Sequence, residues 1–225
     1  MSEAPFILIA AGPTHEPIDP VRYLANRSSG RLGLALSAAS AAAGCRTRLL
    51  LGPAPAAPAK GVAVDRFEST ADLQRLLAEW FPRADILIMA AAVADFRPVA
   101  VAAEKLRRAA EGHALRLEPT PDLVAACARS SRPDQRVIGF ALGDGSEPVQ
   151  AARRKLAAKG LDAVVANPLA TMGSEDIEAT ICTAGGGCWS PGHMSKANFA
   201  TWLIDQLISG QLWDVAAAAA PSPAP

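Results

Sequence analysis

The sequence predicts an α/β fold, a doubly wound, mostly parallel, Rossmann-like sheet with an antiparallel hairpin near the C-terminus. Three observations carry this. Short apolar runs alternate with helical stretches in the order βαβαβ…βαβ, as in a sheet covered on both faces. A glycine-bearing turn opens the first helix. The residues with chemical potential all follow strands, where open α/β sheets bind their ligands.

The elements follow in order. Phe6 to Ala11 is a short apolar run and reads as a buried parallel strand. From Gly30 the small residues up to Gly44 read as a helix closed by that glycine, slim enough to pack tightly on a sheet. Thr47 to Leu51 and Val62 to Phe67 read as the second and third strands. Ser69 or Thr70 caps an amphipathic helix carrying Leu73, Leu76, Leu77 and Trp80. Asp85 to Ala92 is the fourth strand. Val99 to Gly112 holds Glu104-Lys105-Leu106-Arg107-Arg108 and few large apolar residues, so a mobile flap is expected. Thr120-Pro121-Asp122 starts a helix, with Thr120 as cap and an acid near the positive dipole end. Val137 to Ala141 is the fifth strand, Val149 to Lys159 a helix closed by Gly160, and Asp162 to Ala166 the sixth strand. Glu178 to Thr183 and Gly187 to Ser190 flank Ala184-Gly185-Gly186, a hairpin signal. Ser195 caps a last helix to about Ser209. Residues 1–210 form one domain; 211–225, rich in Ala and Pro, are an expected disordered tail.

Composition sets limits. Twenty-two Lys and Arg balance 22 Asp and Glu, so no nucleic-acid or anionic-membrane partner is expected. No apolar run is long enough to span a bilayer. Met1-Ser2-Glu3 leads straight into the first strand, so no signal peptide is expected and the location reads as cytoplasmic. Cys45, Cys127, Cys182 and Cys188 show no CxxC spacing and read as free thiols in a reducing compartment. His15, His113 and His193 have no ligand spacing, and Met172 and Met194 read as packing residues.

The chemistry concentrates after three strands. Asn26, Ser28, Ser29 and Gly30, with Arg22 and Arg27 beside them, bring an amide, hydroxyls and a helix start together, which suits a phosphate or a developing oxyanion. Asp95 follows the fourth strand. It can hold Mg²⁺ against a triphosphate, bond a ribose or base, pair with Arg97, or cap a turn. Lys105, Arg107 and Arg108 either form a solvated face or close over a polyphosphate. Lys155 and Lys159 share one helix face, and Lys159 also suits the negative end of the helix dipole.

Glu16-Pro-Ile-Asp-Pro-Val-Arg22, Asn26-Arg-Ser-Ser-Gly30, Ala90-Ala-Ala-Val-Ala-Asp95, Glu104-Lys105, Pro121-Asp-Leu-Val124, Gly139-Phe140 and Lys155…Lys159 occur in one order. In this the chain resembles phosphopantothenoylcysteine synthetase, the synthetase part of the bacterial coenzyme A biosynthesis protein, from about Phe6 to Ile208. The resemblance implies a phosphopantothenate–cysteine ligase. The carboxylate of 4′-phosphopantothenate attacks the α-phosphate of CTP, giving an acyl-cytidylate, and the amine of L-cysteine then displaces CMP. It implies catalytic roles for Lys105 in nucleotidyl transfer and for Asn26 in the cysteine step. It implies nucleotide contacts at Met89, Ala90, Ala91, Asp95, Lys105, Pro121, Asp122, Leu123, Val124, Phe140, Lys155 and Lys159. Substrate contacts fall at Arg22, Asn26, Ser28, Ser29 and Gly30, a Mg²⁺ ligand at Asp95, and a homodimer is expected. The bacterial protein often carries an N-terminal flavin-dependent decarboxylase. None precedes Phe6, so no flavin is expected, and the decarboxylase is either a separate partner protein or was cut away. The chain departs from the family pattern at Leu142, Gly143 and Pro168.

Two other readings fit parts of the sequence. A short-chain dehydrogenase-like NAD(P)-binding oxidoreductase shares the strand–turn–helix opening, but Tyr23 lacks the lysine four residues on and no Gly-x-Gly-x-x-Gly follows the first strand. A catalytically inactive nucleotide-binding homologue would suit the changes after Phe140.

Overall fold

The computed structural model describes residues 4–108, 110–143 and 147–213. Eight strands form one sheet: β1 (Phe6–Pro13), β2 (Arg46–Leu51), β3 (Ala63–Arg66), β4 (Ile86–Ala92), β5 (Arg136–Gly143), β6 (Ala163–Pro168), β7 (Thr180–Thr183) and β8 (Cys188–Trp189). Their order is β8-β7-β6-β5-β4-β1-β2-β3. The first six are parallel and run 6-5-4-1-2-3, a doubly wound order whose direction of winding reverses between β1 and β4. β7 pairs antiparallel with β6 and β8 antiparallel with β7, so the expected hairpin closes that edge.

Side chains alternate along β1 between two cores. Phe6, Leu8 and Ala10 face α2 (Thr70–Trp80), α3 (Leu123–Ser130) and α4 (Pro148–Lys159), meeting Leu73, Leu77, Val124 and Leu156. Ile7, Ile9 and Ala11 face α1 (Arg31–Ala42) and α5 (Lys196–Ser209), meeting Leu36, Phe199 and Leu203. Because both faces are covered, the central strands β1, β4 and β6 are near-continuous apolar runs, whereas the edge strand β3 carries Asp65 and Arg66.

Gly33 shows how close α1 lies to the sheet. A Cβ there would sit 2.2 Å from the Ala11 Cβ, so only glycine lets the helix reach β1. Gly30 caps α1 with φ 69°, in the left-handed region. Ser69 caps α2 in a reciprocal box with Asp72, and Gly160 closes α4.

Four expectations change. The cap of α3 is Asp122, which accepts from the Ala125 N–H at 3.1 Å; Thr120 turns away and donates to the Ala94 carbonyl. Cys182 and Cys188 are not free thiols but a disulfide: the hairpin register sets them directly opposite, with Cα atoms 4.2 Å apart. Cys45 and Cys127 are free and buried, and burial pushes the Cys127 thiol up to about 11. Met172, expected in packing, is exposed and lines the cleft described below. At the C-terminus, residues 211–213 form a 3₁₀ turn with Leu212 buried, so the ordered chain runs past 210. The rest of the expected tail, residues 214–225, lies outside the described residues, as do Met1-Ser2-Glu3, Ala109 of the flap and residues 144–146 after the fifth strand.

Two hairpins project beyond the sheet, and the sequence did not predict them. His15–Pro17 pairs with Tyr23–Ala25, and Phe96–Pro98 pairs with Leu117–Pro119. Among the described residues no helix is long and apolar enough to cross a membrane.

Candidate functional site

A cleft of about 710 Å³ opens at the carboxyl ends of the strands, over the β1/β4 reversal. Met89–Ala92 of β4 and Gly139–Phe140 of β5 form its floor. Asn26–Gly33 form one wall, ending in the N-terminus of α1. Asp95, Thr120–Val124, Lys155 and Lys159 form the other, and Asn167, Thr171–Gly173 and Lys196 close the rim.

On the first wall, Asn26 donates through Nδ2 to the Val93 carbonyl at 2.8 Å, which leaves Oδ1 and the second N–H directed elsewhere. Ser28 Oγ accepts from the Gly30 N–H at 3.3 Å. Gly30 offers no side chain to cap α1, and no acid sits in the first turn. The dipole of this 12-residue helix therefore faces the cleft without a built-in counter-charge in that turn.

The opposite wall is a charged weave. Asp122 accepts from Lys159 at 3.0 Å while capping α3. Burial would raise the Asp122 carboxyl, but Lys159 and the Ala125 N–H outweigh it and hold the group below 3.8. Lys155 donates to the Phe140 carbonyl. Burial, and then Lys159, push the Lys155 ammonium below 10.5, against the pull of Asp122 and Asp95. A half-buried cation at a cleft wall is well placed for an anionic ligand, which would favour its charged form. Arg97, a possible partner of Asp95 from the sequence, pairs with Glu118 at 2.9 Å, so Asp95 is not held there by an ion pair with Arg97.

Of the site residues proposed from sequence, all but two line this cleft: Asn26, Ser28, Ser29, Gly30, Met89, Ala90, Ala91, Asp95, Pro121, Asp122, Leu123, Val124, Phe140, Lys155 and Lys159. Arg22 and Lys105 do not. They line a second hollow of about 870 Å³ with Glu104, Leu106, Arg107, Arg108 and His113. The cleft also gathers residues the sequence reading did not single out as ligands: Arg31, Thr120, Asn167, Thr171 and Lys196. Lys196 donates to the Thr171 carbonyl at 3.0 Å and to the Ser174 carbonyl, and burial followed by nearby Arg31 lowers its ammonium below 10.5. Its place just after the Ser195 cap was the available signal.

A single carboxylate, Asp95, lies in the cleft without a cation on it, and among the described residues no three metal-ligating side chains gather. That donor set fits a Mg²⁺ ion held mainly by ligand phosphates and water, with one carboxylate from the protein.

A switch-point cleft with a bare helix N-terminus on one side and two lysines on the other is the arrangement in which Rossmann-like folds can receive a phosphorylated ligand. The comparisons narrow this class. Residues 3–211 match the DNA/pantothenate metabolism flavoprotein C-terminal domain, and the chain belongs to that family. It is 37% identical over 173 residues to the coenzyme A biosynthesis bifunctional protein CoaBC of Bacillus subtilis, covering 76% of this chain and 42% of that protein. It is 40% identical over 169 residues to a cysteine/cysteine sulfinic acid decarboxylase of an unknown prokaryotic organism, covering 75% of this chain and 47% of that one. The chain thus spans about half the length of the curated relatives it matches. The crystal structure of the C-terminal domain of CoaBC superposes with a TM-score of 0.80 at 29% identity, covering 94% of this chain and 98% of that domain.

Proposed function

We propose that this chain is a phosphopantothenate–cysteine ligase of coenzyme A biosynthesis that uses CTP. The observation that carries the reading is the cleft itself. It offers a helix N-terminus with Ser28, Ser29 and Gly30 for phosphates, and it faces them with Asp95, Lys155 and Lys159 across a floor of small residues from β4.

In the first step the carboxylate of 4′-phosphopantothenate attacks the α-phosphate of CTP. The P–O bond to pyrophosphate breaks and an acyl-cytidylate forms. The amides at the start of α1 and the Lys155 ammonium hold the phosphate charge in place, which is where most of the barrier reduction in such transfers arises. The Phe140 carbonyl orients Lys155, and Asp122 orients Lys159. Mg²⁺, when bound with the nucleotide beside Asp95, supplies charge neutralisation on the phosphates. In the second step the L-cysteine amine attacks the acyl carbon and CMP leaves. Asn26, fixed by its bond to Val93, presents its remaining N–H to the carbonyl oxygen as it gains charge.

Lys105 reaches this chemistry from the flap. In this chain it lies in the neighbouring hollow, so it acts either after closure or in the cleft of a second copy. A homodimer is part of this reading. Val21, Tyr23, Phe96, Val99 and Val101 form an exposed apolar set on the hairpins and flap, and a second copy would cover it. Neither step calls on flavin. A decarboxylase, on a separate protein or another segment, takes the product onward, and the reading belongs in the cytoplasm.

The test is pyrophosphate release with 4′-phosphopantothenate and either CTP or ATP, with and without L-cysteine. Release that needs phosphopantothenate and prefers CTP is expected. Equal turnover of both nucleotides would remove CTP from the reading, and no release with either would remove the ligase.

A further inference from the structure

Asp19 is a carboxylate that the site described so far does not use. It is buried, 3% exposed, on the turn of the Tyr23 hairpin, where it accepts three backbone hydrogen bonds and makes one ion pair. Oδ1 takes the Val21 N–H at 2.8 Å and the Arg22 N–H at 2.9 Å. Oδ2 takes the Leu106 N–H at 3.1 Å and pairs with the Arg22 guanidinium at 2.9 Å. Three N–H groups and a guanidinium occupy both oxygens of this carboxylate, which marks it as a structural hub rather than a ligand. The partners come from two segments far apart in sequence, the hairpin turn and the flap. The Arg22 guanidinium also donates to the Leu106 carbonyl, and the Ala102 N–H donates to the Ile18 carbonyl at 3.0 Å. Leu106 is clasped at both its N–H and its carbonyl, and Lys105 is the next residue.

The geometry points to Asp19 as a positioning residue for nucleotidyl transfer, coupling Arg22 on the substrate side to Lys105 on the nucleotide side through the clasped Leu106. The inference rests on the ligase reading. Burial would raise the Asp19 carboxyl, but the Val21, Leu106 and Arg22 N–H groups and the Arg22 charge hold it below 3.8, so it stays ionised and fully accepting near neutrality.

Asp19→Asn is nearly isosteric but keeps one acceptor oxygen and turns an NH₂ towards two of the four donors. Two measurements on the full chain follow it: amide hydrogen exchange at Leu106, and pyrophosphate release with CTP and 4′-phosphopantothenate. Exchange at Leu106 is expected to rise at least about tenfold as the flap opens locally. The kcat for pyrophosphate release is expected to fall about tenfold to a hundredfold, the usual cost of a misplaced catalytic group, with KM for L-cysteine unchanged. Asp19→Glu, which keeps four acceptor sites, should recover part of the rate. Should Asp19→Asn not fold, an ester in place of the Lys105–Leu106 amide deletes the flap N–H without a ring constraint and is expected to give the same loss. Faster exchange with an unchanged rate would overturn the positioning role, and unchanged exchange would overturn the clasp. Lys105→Gln in the same assay separates the failures. If it slows release and Asp19→Asn does not, the ligase reading stands and the inference falls. If the unmodified chain releases no pyrophosphate, the ligase reading falls and the inference with it.

Discussion

Met89–Ala92, on the floor of the cleft, belong to a strand paired on both sides, and Leu87 and Ile88 just before them are fully buried. Lys105 belongs to coil, and a few polar bonds to Asp19 and Ile18 hold its segment down. The floor is rigid because opening it would expose two cores. The flap segment opens at the cost of a handful of hydrogen bonds, each contributing about 0.5–1.5 kcal/mol. Residues that must hold a shape sit on the first kind of support. On the ligase reading, the residues that arrive and leave with a reactant sit on the second.

Four substitutions probe this contrast, from the largest expected effect down. Gly33→Val places a Cβ 2.2 Å from that of Ala11 and should prise α1 from the floor, costing about 3 kcal/mol or more in denaturant unfolding. Lys105→Gln leaves the fold intact. It should slow pyrophosphate release about a hundredfold, with a melting midpoint unchanged within error. Equal losses in rate and midpoint would mean that the flap is part of the core after all.

Lys155→Met lies between the two supports. Nucleotide affinity should fall about tenfold in titration calorimetry, as for one lost charge-assisted bond. Its effect on stability depends on pH. Folding lowers the Lys155 pKa, so the charged lysine costs stability below the folded value. That cost disappears as pH rises through the lowered value towards 10.5. The unmodified chain should therefore gain stability on the variant across that window, as read by chemical denaturation at stepped pH. Asp122→Asn keeps a good cap for α3 but loses the half-exposed pair with Lys159, so about 0.5 kcal/mol is expected, and less at high salt.

Of the six parallel strands, β1, β4, β5 and β6 were legible as largely apolar runs, and β2 and β3 as runs bounded by glycine, proline or charge. The small hairpins were not. Their strands are three residues long, contain Pro17, Pro98 and Pro119, and in one case pair across the whole flap. Thr120 was a reasonable cap by type, yet the helix starts two residues later, with Asp122 as its cap. The Cys182–Cys188 pairing was within reach, since both residues flank a recognised turn and only the register was missing. Arg22 and Lys105 apart, the site residues singled out after β1, β4 and β5 line the cleft, because ligand clefts of such sheets open at the strands' carboxyl ends. Asn167, Thr171 and Lys196 were passed over because β6 and α5 bring them to the rim from parts of the chain that look unremarkable alone. Arg22 was grouped with Asn26 and Arg27, and Lys105 with Arg107 and Arg108, but nothing linear says that Arg22 and Lys105 share a hollow apart from the cleft.

The rung between the Val99 N–H and the Arg116 carbonyl, at 3.0 Å, sets the two feet of the flap side by side. A loop pinned so narrowly has already surrendered most of its closure entropy during folding. Its cations therefore never dilute into solvent. On the ligase reading they would stay at a high effective concentration near the cleft they serve, and swinging inward would ask for little further ordering.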